Sequence, residues 1–215
     1  MQPETLNLKP ETSPESMFHP GDLLGVQTIA HWYNPFTWIQ WRIQVDTHSK
    51  LNHIGILDWN CQLHQWFVIE ALLKGVTRTP LSDYTDYLSK YNLWVGRIPN
   101  LTAENMSAIV ETVRGQIGKP YSLSSVVKLR LLQLILGHDA VAQMRIDGTA
   151  SDQGIFCSRL IVNAVFKCTG VFLGGDFVAP DDVMAKTSII WWSGDASFAS
   201  AEATTRLKNG KNNPK

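Results

Sequence analysis

The apolar residues of stretch 154–170, GIFCSRLIVNAVFKCTG, recur at the spacing of a helix. Each helical residue advances by about 100°, which sets five apolar side chains within roughly 80° of Cys157. They are Leu160, Ile161, Ala164, Val165 and Cys168. The pattern predicts a helix whose apolar stripe faces the core and which carries Cys157 in its first turn, with Gly170 as its stop.

Alternating apolar and polar residues predict a hairpin formed by HIGILDW (53–59) and LHQWFVIEAL (63–72). A tight turn centred on Cys61 and Gln62 would place His53 directly opposite Glu70, on the same face of the sheet. Gly55, next to His53 on that face, leaves room for close packing. Further strands are predicted at 23–30, 93–99 and 188–192.

The remaining pattern adds helices around this sheet. Thr102 is the expected N-cap of a helix over 103–117, and 122–137 is a strongly apolar helix. Short helices are expected within 76–91 and after Pro180. The predicted fold class is α+β: a small antiparallel sheet packed against a central helix that carries the cysteine, with additional helices.

The domain prediction divides the chain into three parts. Residues 1–17 read as a flexible N-terminal arm, 18–194 as one catalytic domain and 195–215 as a flexible tail. The first seventeen residues lack the basic start and apolar run of a signal peptide, and no apolar run is long enough to span a membrane. We therefore expect a cytoplasmic protein without a transmembrane segment.

Charge and cysteine content narrow the function classes. Lysine plus arginine and aspartate plus glutamate both number 19, so nothing favours nucleic acid or an acidic membrane as a partner. Three cysteines without a CxxC pair argue against a disulfide framework and leave at least one free thiol. No phosphate-binding glycine loop and no GxSxG motif occurs, so nucleotide and serine-hydrolase functions have no support.

The candidate chemistry is nucleophilic. Cys157 at the positive end of a helix favours a thiolate, although a lone cysteine is more often a small buried hydrophobe. A nucleophilic thiol needs a base, which His53 can supply, and a third group that orients the imidazole, which Glu70 can supply from the neighbouring strand. Glu70 lies in an apolar run, where a carboxylate needs a partner. Three other histidines compete as bases: His31, His48 and His64.

A metal site is the main alternative use of these side chains. Cys61, His64 and His53 could in principle bind zinc, but their spacing matches no metal-ligand pattern. We therefore predict neither a metal site nor an organic cofactor.

Five motifs occur in the order seen in the circularly permuted NlpC/P60 group of papain-like enzymes: NHIGIL (52–57), VIEALLKGV (68–76), a YxxYxxWVGRIP-like strand (91–99), GKPYS (118–122) and FCSRLIVNAV (156–165). Over residues 20–185 the chain most resembles the YiiX/YebB-like branch. The resemblance implies Cys157 as nucleophile, His53 as base, Glu70 as orienting residue and Tyr121 near the substrate.

The chain departs from the family pattern in three places. Asn52 stands where a serine often precedes the histidine, Arg159 replaces a common acidic residue, and the connection from Tyr121 to Cys157 is long. These departures leave the three predicted catalytic residues untouched and bear on the substrate.

The favoured function is a cysteine peptidase or amidase acting on short peptides, with peptidoglycan-derived peptides among the candidates. A lipid-directed acyltransferase or thioesterase with the same thiol is a second hypothesis, because the apolar helix 122–137 and the aromatic loop 31–41 would suit a lipid chain. A non-catalytic binding or structural protein on the same fold is the third.

Overall fold

A computed structural model describes residues 14–29, 50–88, 90–120, 157–174 and 178–193. Within these ranges six strands form one antiparallel sheet in the order β4-β3-β2-β1-β5-β6. The strands are β1 (Leu23–Thr28), β2 (His53–Asn60), β3 (Gln65–Leu72), β4 (Gly75–Pro80), β5 (Tyr91–Arg97) and β6 (Ser188–Trp192).

Four α-helices accompany the sheet in the described ranges: α1 (Ser82–Thr85), α2 (Ala103–Arg114), α3 (Cys157–Thr169) and α4 (Pro180–Met184). A 3₁₀ turn, Pro14–Met17, precedes β1. Thr102 caps α2 as predicted, and its hydroxyl accepts a hydrogen bond from the Asn105 N–H. This helix ends earlier than expected because Gly115 caps it and the chain turns through Gly118, which has a φ of 87°.

Helix α3 packs against one face of the sheet and confirms the predicted stripe. Its buried residues include Leu160, Ile161, Ala164 and Val165, and they share one apolar cluster with residues of β2 and β3. The helix ends at Thr169, and Gly170 after it takes the positive φ that glycine tolerates at a helix C-terminus. A mixed α+β fold with the cysteine helix against an antiparallel sheet is therefore confirmed.

The other face of the sheet carries a second apolar cluster, to which Leu57, Trp66 and Val68 belong. Phe18, just before β1, covers it and meets the Trp66 and Trp191 rings edge-on at 6.1 and 5.9 Å. His53 and Glu70 have the same strand parity as Leu57 and Val68, so their side chains start from the face opposite α3. His53 is the first residue of β2 and Cys157 the first residue of α3, and the two side chains meet where β2 begins.

The β2–β3 register differs from the prediction by two residues. Asn60 pairs with Gln65, so the connection is a four-residue turn rather than a tight turn centred on Cys61 and Gln62. The Asn60 side chain accepts hydrogen bonds from the backbone N–H groups of Gln62 and Leu63, and His64 closes the turn with a φ of 47°. These hydrogen bonds within the turn favour the four-residue connection over a two-residue turn.

The consequence of this register is that Gly55, rather than His53, falls opposite Glu70. The prediction that His53 lies directly opposite Glu70 on the neighbouring strand was therefore wrong. An even shift preserves the face of every side chain, because strand side chains alternate with a period of two. His53 and Glu70 thus still share a face, but as diagonal neighbours.

Two fully buried aspartates form ion pairs at the end of the sheet where β1 begins and β2 ends. Asp22 accepts two hydrogen bonds from Arg97, at 2.7 and 2.8 Å. Asp58 binds Arg78 at 2.8 Å and also Arg114 of α2. These pairs lie near the β1 start and the β2 end, away from His53, which is the first residue of β2.

Candidate active site

Hydrogen bonds on two sides fix the chain where it enters β2. Asp181 of α4 accepts from the backbone N–H groups of residues 50–51, at 2.6 and 2.8 Å. Asn52 pairs with Thr28 of β1, whose N–H donates to the Asn52 side chain at 2.7 Å. The residue that follows is His53, so the backbone that carries its imidazole is anchored before the strand begins.

The imidazole of His53 contacts the carboxylate of Glu70. His53 Nε2 lies 2.5 Å from Glu70 Oε2. The Glu70 side chain is fully buried, whereas 13% of the His53 side chain is exposed. Gly55 makes the diagonal contact possible, because a Cβ there would lie 2.3 Å from Val68 Cγ1 and 3.4 Å from Glu70 Cβ.

A residue that the sequence reasoning missed binds the same carboxylate oxygen. The Tyr84 hydroxyl donates to Glu70 Oε2 at 2.6 Å. Tyr84 comes from the short helix α1, directly after β4, and is itself buried. The signal that could have found it was the buried carboxylate of Glu70, which required partners beyond one histidine.

The surroundings of Glu70 favour its ionised form. Burial alone would raise the pKa of this carboxyl, but hydrogen bonding and charge from His53 lower it, with smaller contributions from Thr79 and Tyr84. The pKa of Tyr84 is raised by burial and by the Glu70 charge, so its hydroxyl remains a neutral donor. A buried anion therefore stands next to the imidazole.

Cys157 is the first described residue of α3 and is half-buried. Burial alone would raise the pKa of its thiol. Hydrogen bonding with His53 and the positive charge of its imidazolium lower that pKa, helped by Ser158 and the backbone of Ile54. The Cys157 Sγ lies 3.9 Å from Ser158 Oγ.

His53 shows the reciprocal effect. Burial alone would lower its pKa, but hydrogen bonding with Cys157 and then with Glu70, together with their charges, raises the pKa to about 10. Because Nε2 faces Glu70, Nδ1 is the nitrogen left for the thiol. The arrangement favours an ion pair in which a thiolate faces an imidazolium, the form that a cysteine nucleophile requires.

The other candidate thiols and base within the described residues lie away from His53 and Cys157. Cys61 and His64 belong to the turn beyond the far end of β2, and His64 packs against Trp59. The zinc grouping of Cys61, His64 and His53 is therefore not assembled. No cluster of three or more potential metal ligands occurs in the described ranges. Cys168, near the end of α3, lies 3.2 Å from the Thr112 hydroxyl.

Several predictions fall outside the described residues: Tyr121, the apolar helix 122–137, the aromatic loop 31–41, His31 and His48. Within the described ranges, a cavity of about 450 Å³ lies between β5 and α2. It is lined in part by Arg97, Met106 and Arg114, and by none of the three predicted catalytic residues. The described helices are all too short or too polar to span a bilayer.

Comparisons with known proteins bear on the family of this chain. No curated protein matches this chain. The crystal structure of the metalloprotein yiiX from Escherichia coli O157:H7 aligns with a TM-score of 0.47 and 22% identity, covering 78% of each chain. Residues 17–130 match the permuted papain-like amidase enzymes of the YaeF/YiiX, C92 family; this range includes His53 and Glu70 and ends before Cys157.

The matched range spans more than half of the 215 residues, and the fold and the family agree with the resemblance found in the sequence motifs. The chain therefore belongs to the YaeF/YiiX, C92 family of permuted papain-like amidases, and it is a hydrolase of the papain-like class.

Proposed function

We propose that this protein hydrolyses amide bonds with Cys157 as nucleophile, His53 as general base and acid, and Glu70 as the group that orients His53. One observation carries the proposal: His53 has a buried carboxylate against Nε2 and interacts with the Cys157 thiol. This is the arrangement that activates a thiol and returns its proton to a leaving group.

The proposed reaction has two stages. The Cys157 thiolate attacks the carbonyl carbon of the amide, and the His53 imidazolium gives its proton to the departing nitrogen as the carbon–nitrogen bond breaks. Water then attacks the resulting thioester while His53 accepts a proton from it, and the carbon–sulfur bond breaks to release the acid and restore the thiolate. The positive end of α3 lies at Cys157 and favours the negative charge that develops there.

The substrate class we propose is a short peptide, with peptidoglycan fragments as the first to test. The amidase character of the family supports an amide rather than a thioester substrate. The two segments that would favour a lipid chain, 122–137 and 31–41, lie outside the described residues.

The test of the nucleophile is selective alkylation. At mildly acidic pH, iodoacetamide should label Cys157 before Cys61 and Cys168, because the facing His53 imidazolium lowers the pKa of the Cys157 thiol. Peptide mass spectrometry gives the rate at each thiol. His53→Ala should slow labelling of Cys157 sharply and leave Cys61 unchanged. Preferential labelling of Cys61, or an unaffected rate in His53→Ala, would contradict the proposed dyad.

The test of the activity compares muropeptides, short peptide amides and short-chain thioesters as substrates. Amide hydrolysis should disappear in Cys157→Ala and persist in the matched control Cys168→Ala, which removes a thiol from the same helix. Turnover of thioesters alone would refute the amidase proposal in favour of lipid chemistry. Amide hydrolysis that survives Cys157→Ala would refute the nucleophile.

A further inference from the structure

We propose that Tyr84 is a positioning residue of this site: its hydroxyl holds Glu70 Oε2 in the place where that oxygen meets His53 Nε2. The inference rests on the proposed function and extends it, since the family comparison and the predicted triad leave Tyr84 without a role. Tyr84 acts through Glu70 and His53 and contacts no reacting atom.

The geometry supports a shared anchor. Tyr84 OH and His53 Nε2 lie 2.6 and 2.5 Å from the same oxygen of Glu70. A glutamate side chain has three rotatable bonds, so a single donor would leave the carboxylate free to turn around that contact. Two donors from different elements, β2 and α1, restrict the oxygen to one position.

Tyr84 is itself held in place from several sides. Its backbone N–H donates to Leu81 O at 2.9 Å, and the Leu81 N–H donates to Trp66 O of β3 at the same distance. Its ring meets the Tyr91 ring of β5 edge-on, with centroids 5.3 Å apart. The phenol is thus fixed to β3, the strand that carries Glu70, and to β5.

The charge balance around Glu70 gives the hydroxyl a chemical role besides packing. His53 faces the carboxylate from β2, Thr79 from β4, Tyr84 from α1 and Tyr91 from β5. Tyr84 donates a hydrogen bond without a charge, so it stabilises the Glu70 anion while leaving that charge available to the His53 imidazolium. Loss of this hydroxyl should therefore weaken the thiolate–imidazolium pair.

The test is the pH dependence of Cys157 alkylation by iodoacetamide in Tyr84→Phe, which removes one hydroxyl and keeps the ring. We expect the rate midpoint to move to higher pH and the rate below it to fall about tenfold, as for loss of a hydrogen bond to a charged group. At alkaline pH the rates should converge, because the thiolate is then fully formed. Tyr87→Phe, which removes a hydroxyl from an exposed tyrosine just after α1, should keep the wild-type midpoint.

A double-mutant cycle with Glu70→Gln separates positioning from packing. Without the carboxylate, Tyr84→Phe should move the midpoint no further. A Tyr84→Phe protein that melts earlier but keeps the wild-type midpoint, or an equal shift in the Glu70→Gln background, would overturn the inference. If wild-type Cys157 shows no preferential alkylation at acidic pH, the proposed function itself fails.

A measurement on the wild-type protein tests the inference even when the Tyr84→Phe variant does not fold. The Tyr84 hydroxyl proton, bound to a buried carboxylate, should give a slowly exchanging downfield signal in proton NMR. Glu70→Gln should move that signal upfield, and Cys168→Ala should leave it in place. A wild-type spectrum without such a signal would overturn the inference.

Discussion

Replacing Gly55 by alanine should destabilise the protein and weaken the contact between His53 and Glu70. A Cβ at this position would lie 2.3 Å from Val68 Cγ1, more than an ångström inside the distance of about 3.5 Å that carbon atoms prefer. Val68 is fully buried and β-branched, so its methyl group has little freedom to turn away. The strand must therefore shift next to Glu70.

The cost follows from overpacking. Inserting a methyl group into a packed core costs about 1–3 kcal/mol, offset by up to about 1 kcal/mol from the lower entropy of the unfolded alanine chain. A net loss of about 1–2 kcal/mol lowers Tm by about 2–8 °C for a protein of this size. Scanning calorimetry measures the change, and alkylation of Cys157 at mildly acidic pH should slow in parallel.

Two further variants make the reasoning refutable. Gly115→Ala is the matched control, since Gly115 has a helical φ of −64° and the nearest atom to an added Cβ lies at 3.5 Å. It should leave Tm unchanged or raise it. Val68→Ala combined with Gly55→Ala removes the clash, so the double variant should lose less stability than the sum of the two single changes. Additive losses, or a Gly55→Ala protein that melts with wild type, would refute the reasoning.

Two other predictions concern charge. In NMR titration, His53 should have a pKa of about 10 in the wild type and a lower one in Cys157→Ala, because its interaction with the thiolate is the largest contribution that raises it; an unchanged value would exclude the ion pair. Asp58→Asn should lower the free energy of unfolding, measured in urea, by about 2 kcal/mol. Arg78 and Arg114 then lose a fully buried anionic partner, but each is about a third exposed and can be hydrated instead. A loss below about 0.5 kcal/mol would contradict this.

Sequence periodicity predicted the faces of the elements better than their pairing. The stripe of α3 follows from helical spacing alone, and the shared face of His53 and Glu70 follows from strand alternation. The register between the two strands depends on the turn, where the Asn60 side chain and the positive φ of His64 add two residues. Neither feature can be recognised from the pattern of apolar and polar residues.

The elements that sequence reasoning missed are those with little apolar signal. Strand β4, GVTRTP, has only two buried residues and lies at the sheet edge, so no alternation marked it. Tyr84 follows it in a polar segment, SDYT, where nothing distinguishes an inward tyrosine from an exposed one. Its role becomes visible only in the structure, where the buried Glu70 carboxylate accepts a second hydrogen bond from the Tyr84 hydroxyl.

The position of β6 in the sheet has a consequence for synthesis. The strands that carry His53 and Glu70 lie within the first half of the chain, whereas Cys157 arrives much later, and β6 then returns to pair Trp192 with Trp94 of β5. A growing chain therefore contains the His53–Glu70 pair before it contains Cys157 and before it contains Asp181, which anchors the entry to β2. In the proposed mechanism the Cys157 thiol is activated by its contact with His53, so a nascent chain gains its reactive thiolate only when α3 docks against the sheet.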